Sequence, residues 1–112
     1  MKLLTKAIEK SLPALYSTED IKLQDKMIQV KYFDPCGAYT LYVIEGGYSD
    51  SGDYIFWGWA TFGDPDCAEF GYASLKEITS IVNRFGLGIE RDLYFEPKKV
   101  SEIPAIMKTI RM

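Results

Sequence analysis

Three adjacent charged residues, Glu90, Arg91 and Asp92, form the most distinctive chemical group in the sequence. They lie in the segment GLGIERDLYF, between two glycines and an aromatic pair. An arginine flanked by carboxylates could bind an anion or stabilise charge that develops during a reaction. The alternative is structural, because an ion pair here could pin a loop to the edge of a sheet. We take all three as candidate binding residues and leave the two interpretations open.

A second group consists of carboxylates in predicted loops, which could hold Mg²⁺ or Ca²⁺. Its members are Glu45, Asp50, Asp53, Asp64, Asp66 and Glu69. The segments DSGD and DPD lack the complete spacing of a calcium-binding loop, and acids in glycine- and proline-rich turns commonly form the turn itself. We therefore predict no bound metal and no cofactor. A metal-dependent enzyme that uses these loop carboxylates is kept as an alternative.

The third group is the aromatic segment YIFWGWATF (54–62), predicted to be a strand. Strict alternation sends Tyr54, Phe56 and Phe62 to one face, and Ile55, Trp57 and Trp59 to the other. A strand that is apolar on both faces must be covered by other parts of the protein on both sides, or must bind a partner with the uncovered face. Core packing is the expected role of most of these rings. Trp57 and Trp59 are candidate binding residues because tryptophan is a favoured anchor in interfaces, and stacking on unpaired bases is an alternative.

The absence of histidine from the 112 residues excludes several kinds of catalysis. Histidine is the usual general base near neutral pH, and it activates serine and cysteine nucleophiles. It is also the commonest zinc ligand, and two cysteines alone cannot complete a structural zinc site. Cys36 and Cys67 are expected to be free thiols. These exclusions favour a binding protein over an enzyme.

The net charge of −3 and the isoelectric point of about 4.9 bear on the partner. A duplex DNA-binding protein usually carries a basic stripe, and none is visible, so we do not expect double-stranded DNA as a partner. Single-stranded nucleic acid remains an alternative. Charges interrupt the apolar residues near the N-terminus, and no apolar run approaches 18 residues. We therefore predict neither a signal peptide nor a membrane span, and expect a cytoplasmic location.

The elements that must position these residues follow from caps, alternation and breakers. Thr5 is predicted to cap a first helix that presents Leu4, Ile8 and Leu12 and ends at Pro13. Strands are predicted at 27–33, 38–44, 54–62 and 69–73, with a type I turn at DPCG (34–37) and a loop at 46–53. Gly58, in the third strand, indicates a bulge or a close backbone approach.

The C-terminal half contains the clearest predicted helix. Ser74 and Glu77 form a capping-box pattern, and the apolar face of the helix runs to Phe85, with Gly86 as its C-terminal stop. A strand at 92–97 and a last helix from Ser101 follow. The fold class is α+β: a single domain (1–112) with an antiparallel sheet of four to five strands and two to three packed helices.

Three segments resemble a known family. They are KLLTKAIEKSLPALYSTED at the start, FGYASLKEI in the middle and FGLGIERDLYFEP near the end. They are similar to the opening helix with LPxLY, the LGYFSLSEL segment and the LPIERDLYF segment of the uncharacterised bacterial domain-of-unknown-function family 2958. Phe70, Ala73 and Gly88 depart from the family pattern, which has a leucine, an aromatic residue and a proline at these positions.

The resemblance extends from Lys2 to about Ile103 and implies a setting rather than a mechanism. Members of the family are often encoded on plasmids, conjugative elements and phages, and the resemblance implies no catalytic residues. The sequence therefore predicts a non-enzymatic protein-binding domain of a mobile element. An aromatic patch with an acidic rim would contact a protein of the host or of the element.

Overall fold

A five-stranded antiparallel sheet forms the centre of the protein, in a computed structural model that describes residues 2–63 and 67–111. The helices are α1 (Lys6–Ser11), α2 (Leu75–Ser80) and α3 (Pro104–Arg111). The strands are β1 (Met27–Ile28), β2 (Val30–Phe33), β3 (Thr40–Tyr48), β4 (Tyr54–Thr61), β5 (Glu69–Ser74), β6 (Glu90–Arg91) and β7 (Lys98–Lys99). The sheet order is β5-β4-β3-β2-β6, and β1 and β7 form a separate two-stranded ladder. The predicted α+β class is confirmed.

The β3–β4 hairpin is the longest pairing in the sheet, and it is longer than predicted. Residues 46–48 continue β3, although their sequence, GGY, predicts a loop. The connecting turn is closed by the Ser49 N–H, which donates to the Asp53 carbonyl at 2.8 Å. The pairing register shifts between Val43 and Glu45, which leaves Ile44 as an extra residue. The expected close approach at Gly58, opposite Val43, lies beside this bulge.

Both faces of the sheet are covered, as the two-sided aromatic pattern of β4 requires. One face packs on α1, α2 and the N-terminal segment; its buried residues are Leu3, Leu12, Val30, Tyr32, Tyr39, Leu41, Val43, Tyr54, Phe56, Ile78 and Ile89. The other packs on α3 and the turn before it; its buried residues are Ile28, Ile44, Trp59, Ala68, Val100, Ile103 and Ile106. The predicted division of the β4 side chains between the faces is confirmed.

Both predicted N-terminal caps are present. The Thr5 hydroxyl accepts the Ile8 N–H at 3.2 Å, and Ser74 and Glu77 form the complete capping box of α2. The predicted stop of α2 at Gly86 is wrong, because the helix already ends at Ser80. The cause is Asn83, whose side-chain oxygen accepts the N–H groups of Phe85 (2.9 Å) and Leu87 (3.1 Å). These local side-chain bonds replace the helical ones.

The predicted strand at 92–97 is also wrong. The strand is β6, Glu90–Arg91, and the chain turns directly after it. The Asp92 carboxylate accepts the Tyr94 N–H at 2.9 Å, and the Asp92 carbonyl accepts the Phe95 N–H at 3.3 Å. A turn with an aspartate as its first residue commonly forms this side-chain bond. The last helix begins at Pro104, after a short 3₁₀ turn at Val100–Glu102, rather than at Ser101.

Buried tyrosines make the stability of this fold sensitive to alkaline pH. Burial, with a smaller contribution from the charge of Glu77, raises the pKa of Tyr39 from 10.0 to about 12. A pKa raised by folding gives stability that is present below the unfolded pKa and is lost as the pH rises through the folded one. From Tyr39 alone we expect the free energy of unfolding to fall by about 2–3 kcal/mol over this range.

Urea unfolding measured across this pH range tests the expectation. Replacing Tyr39 by phenylalanine keeps the ring and removes the titrating hydroxyl, so this variant should lose less stability than the wild type. Tyr32, whose pKa burial also raises, remains as a second contributor in the variant. Equal losses of stability in both proteins would contradict the assignment to Tyr39.

Candidate functional site

The Glu90-Arg91-Asp92 triplet does not converge on one ligand position. In β6, Glu90 pairs with Phe33 and Arg91 with Tyr32, so their side chains leave opposite faces of the sheet. The Arg91 guanidinium donates to the Lys2 carbonyl at 3.0 Å. The Asp92 carboxylate lies 3.7 Å from the Lys31 ammonium of β2. That ion pair is the structural alternative raised by the sequence, since it fixes the turn to the sheet edge.

The triplet positions the two residues that follow it, Leu93 and Tyr94. The Asp92 N–H donates to the Lys31 carbonyl at 3.0 Å, and the Asp92 side chain and carbonyl hold the next residues in a tight turn. Leu93 and Tyr94 at the crest of this turn are 61% and 94% exposed. We call these two residues the Leu93–Tyr94 tip. Phe95 turns inward and packs 6.0 Å from the Tyr42 ring, so the turn is anchored on both sides.

A shallow hollow lies at the base of the tip. Its volume is about 130 Å³, and its lining residues are Phe33, Glu90, Arg91, Asp92, Leu93 and Tyr94. All three members of the triplet therefore border the hollow. Apolar and charged residues thus line the hollow together, and a hollow of this kind can accept an apolar side chain with a polar end. The hollow is too small for a cofactor-sized ligand, since such sites usually span several hundred Å³.

More exposed apolar residues lie beyond the other end of β6. They are Val82, Phe85 and Leu87, in the turn that Asn83 organises. The Asn83 side-chain nitrogen donates to the Asp34 carboxylate at 2.8 Å, which ties this turn to the β2–β3 connection. Apolar side chains thus stand in hydrogen-bonded turns at both ends of the β6 edge. Exposed apolar groups held in this way are typical of contact surfaces.

The two tryptophans have different surroundings from the triplet. Trp59 is 2% exposed, so its ring belongs to the core and is not a surface anchor in this conformation. Trp57 is half-buried and stacks on Phe70 with the ring centroids 5.7 Å apart. The Lys26 ammonium lies 5.7 Å from the Trp57 ring centroid. Both tryptophans are on β4, three strands away from β6, so they do not share a surface with the triplet.

A buried polar network beside Trp57 was not predicted from the sequence. Glu45 is 4% exposed; its carboxylate accepts the N–H groups of Tyr16 (2.8 Å) and Thr18 (3.1 Å) and the Thr18 hydroxyl. Lys26 is 6% exposed and donates to the Thr18 carbonyl and, at 3.0 Å, to the Thr18 hydroxyl. Two opposite charges are thus joined through one hydroxyl. The signal in the sequence is Glu45 itself, an acid in the otherwise apolar segment YVIEGG. Its position in β3 separates it from the carboxylates of the predicted loops.

The network holds Tyr16 in an unusual conformation. Tyr16 has φ 70°, in the left-handed region that residues with a side chain rarely occupy. Its ring lies 6.2 Å from that of Tyr72, and a hydrogen bond to Tyr16 is the main cause that raises the pKa of Tyr72 to about 12. The cleft between them has a volume of about 330 Å³, and its lining residues are Tyr16, Glu19, Lys26, Glu45, Trp57 and Tyr72.

The remaining candidates do not assemble a metal site in the described parts of the chain. Residues 2–63 and 67–111 contain no group of three or more cysteine or carboxylate side chains that could hold a metal ion. The Asp53 carboxylate accepts the Lys76 N–H, in the first turn of α2, at 3.4 Å. Asp64 and Asp66 lie outside the described residues. Cys36 and Cys67 are both exposed. None of the helices in these ranges is long and apolar enough to cross a membrane.

The comparison with protein families matches nearly the whole chain. Residues 3–107 match the family described as proteins of unknown function, DUF2958. The chain belongs to the DUF2958 family. This confirms the resemblance inferred from the three sequence segments, and the matched range extends beyond the predicted limit at Ile103. The DUF2958 match includes the tip, the triplet and the Glu45 network. Searches among curated proteins and among solved structures found no match.

Proposed function

We propose that this DUF2958 domain is a non-enzymatic protein-binding module and that the Leu93–Tyr94 tip is its principal contact. The observation that carries the proposal is the exposure of Tyr94, 94%, in a turn held by hydrogen bonds and an ion pair. An exposed tyrosine in a fixed conformation loses little entropy when it is buried by a partner. Tyrosine is also among the residues that contribute most to interfaces.

The triplet supports the tip in this proposal. Asp92 shapes the turn, and the hollow bordered by Glu90 and Arg91 receives a partner side chain next to Leu93 and Tyr94. In the mobile-element setting that the family resemblance suggests, the partner is a protein of the host or of the element. The proposal leaves out Trp59, which is buried, and Trp57, which lies on β4, three strands away from β6.

The proposal predicts a specific loss of binding when Tyr94 is replaced by alanine. Because the ring makes almost no intramolecular contact, the free energy of unfolding should stay within about 0.5 kcal/mol of the wild-type value. Proteins retained by the immobilised wild-type domain from nuclease-treated native cell extract should be lost from the variant. With a purified partner, calorimetry should show a loss of about 2 kcal/mol, or roughly thirty-fold in Kd.

The matched control is Tyr48→Ala, at a tyrosine that is also well exposed but lies on β3. This variant should retain the same proteins as the wild type. If Tyr94→Ala and Tyr48→Ala lose them equally, or if neither loses any, the tip is not the contact. Retention of nucleic acid alone, before nuclease treatment, would instead support the nucleic-acid alternative.

A further inference from the structure

The outer edge of β5 is a row of backbone groups that the described residues leave without strand partners. β5 ends the five-stranded sheet and pairs only with β4. At the other end of the sheet, β6 has two residues and both are charged. β5 has six residues, one charge at Glu69 and no proline. Proteins commonly protect a sheet edge with short strands, lysines, prolines or bulges, so β5 is the unprotected edge.

The hydrogen bonds show which residues of β5 direct their backbone outward. The Ser74 N–H donates to the Glu77 carboxylate at 3.2 Å instead of to β4. Backbone groups alternate in direction along an antiparallel strand, so Tyr72 and Phe70 also direct theirs outward. The β3–β4 hairpin gives the same assignment. Its Ser49–Asp53 hydrogen bond fixes which residues of β4 bond to β3 and which bond to β5. By this alternation Gly58 of β4 and Gly71 of β5 form a hydrogen-bonded pair, so the backbone groups of Gly71 point toward β4.

We propose that a second copy of the chain pairs with this edge, β5 against β5, antiparallel about a two-fold axis at Gly71. In this register Phe70 of each copy faces Tyr72 of the other, and both residues of each pair exchange their outward N–H and C=O groups. Gly71 faces its own copy at the non-hydrogen-bonded position, where Cα atoms approach to about 4.5 Å. The edge is therefore complementary to itself.

Glycine at position 71 suits this pairing, although the isolated chain does not require it. A Cβ added to Gly71 would meet no atom within 4 Å, and its φ is not in the left-handed region. The fold of a single copy thus tolerates any small side chain at this position. At the two-fold axis the two copies of residue 71 lie directly opposite each other, and glycine brings no like side chains together there. Close approach of another backbone is one of the reasons for glycine inside a strand.

The side chains around the axis are compatible with a second copy. Phe70 and Tyr72 pair with Trp59 and Trp57 of β4, so they share one face of the sheet. Across the axis each forms an aromatic cross-strand pair, which stabilises sheets. Glu69, the one charge of β5, would face Ala73 of the second copy, so no like charges oppose each other. The tip lies beside β6, at the opposite edge, and pairing at β5 would leave it accessible.

Sedimentation equilibrium of the full chain over a concentration series tests the pairing. We expect the wild type to be a dimer and Gly71→Lys to be a monomer, because two ammonium groups would meet at the axis. Gly71→Glu should also be a monomer, and an equimolar mixture of the two variants should dimerise again. Gly88→Lys is the matched control, since a Cβ there makes only an ordinary contact, 3.8 Å from the Ile81 carbonyl; it should remain a dimer.

Hydrogen exchange gives a second readout that needs no variant. The Phe70 and Tyr72 amides should be protected at high protein concentration and exposed at low concentration, and the Gly71 amide should be protected at both. A monomeric wild type at the highest attainable concentration would overturn the proposal. So would a Gly71→Lys variant that folds and remains a dimer, or a monomer whose β5 edge is occupied by a strand of another protein.

Discussion

Replacing Gly58 by alanine should lower the free energy of unfolding by about 3–5 kcal/mol. Gly58 is buried in β4, opposite the bulge in β3. An added Cβ would lie 1.8 Å from the Tyr42 carbonyl oxygen and 3.0 Å from the Val43 Cα. These are backbone atoms of the central strand pair, so no side-chain rotation can relieve the contact.

Gly71→Ala is the matched control for this prediction. Gly71 pairs with Gly58 in the adjacent strand, and an added Cβ there meets no atom within 4 Å. In urea unfolding at a concentration where the chain is monomeric, Gly71→Ala should be within about 1 kcal/mol of the wild type, because alanine in a strand interior loses less entropy than glycine. Similar losses for the two variants would show that strand propensity, and not the contact with Tyr42, explains Gly58.

Replacing Glu45 by alanine should have an effect of similar size, about 3–5 kcal/mol. The substitution removes the acceptor of the Tyr16 and Thr18 N–H groups and leaves the buried Lys26 ammonium without the carboxylate to which Thr18 joins it. An unpaired buried charge and unsatisfied buried donors are each costly. Glu45→Gln keeps one acceptor oxygen and should lose about half as much.

A double-mutant cycle identifies the cause. If the buried charges depend on each other, Glu45→Ala combined with Lys26→Met should cost clearly less than the sum of the single changes. Urea unfolding of the four proteins measures the difference. The exposed Glu69→Ala serves as a control and should change stability by less than about 0.5 kcal/mol. Additive losses for Glu45 and Lys26 would contradict the coupling through Thr18.

Local sequence signals predicted the local structure well. The Thr5 cap, the Ser74–Glu77 capping box and the turn after Phe33 are each formed by residues within three positions of one another. Alternation along β4 predicted the division of its aromatic rings between two cores. These features depend on neighbours in the chain, and propensity rules describe such neighbours directly.

The errors arose where one polar side chain competed with a longer pattern. The apolar residues up to Phe85 fit a helix, but the Asn83 side chain bonds the following N–H groups and forms a turn. Likewise, the pattern after Asp92 fits a strand, but its carboxylate bonds the Tyr94 N–H. Such side-chain bonds offer the backbone an alternative to the hydrogen bonds of a helix or a sheet. Periodicity alone therefore did not distinguish the turn from the helix or the strand.

Only part of the candidate site could be predicted from the sequence, because the residues in contact are far apart along the chain. The sequence drew attention to the triplet. It did not predict that Arg91 donates to the Lys2 carbonyl or that Asp92 forms an ion pair with Lys31. The partners of Glu45 lie 27 and 29 positions away, and no local pattern marks them. Tyr94 is exposed because the chain turns at this point, whereas the sequence predicts a strand.

Site-specific photo-crosslinking at position 94 tests the central claim most directly. A photoreactive phenylalanine analogue is incorporated in place of Tyr94, and in a separate protein in place of Tyr48, and both are irradiated in native cell extract after nuclease treatment. Our account predicts a discrete adduct with a different polypeptide at position 94 that is absent at position 48. No adduct at position 94, or the same adducts at both positions, would contradict the assignment of the Leu93–Tyr94 tip as a protein-binding surface.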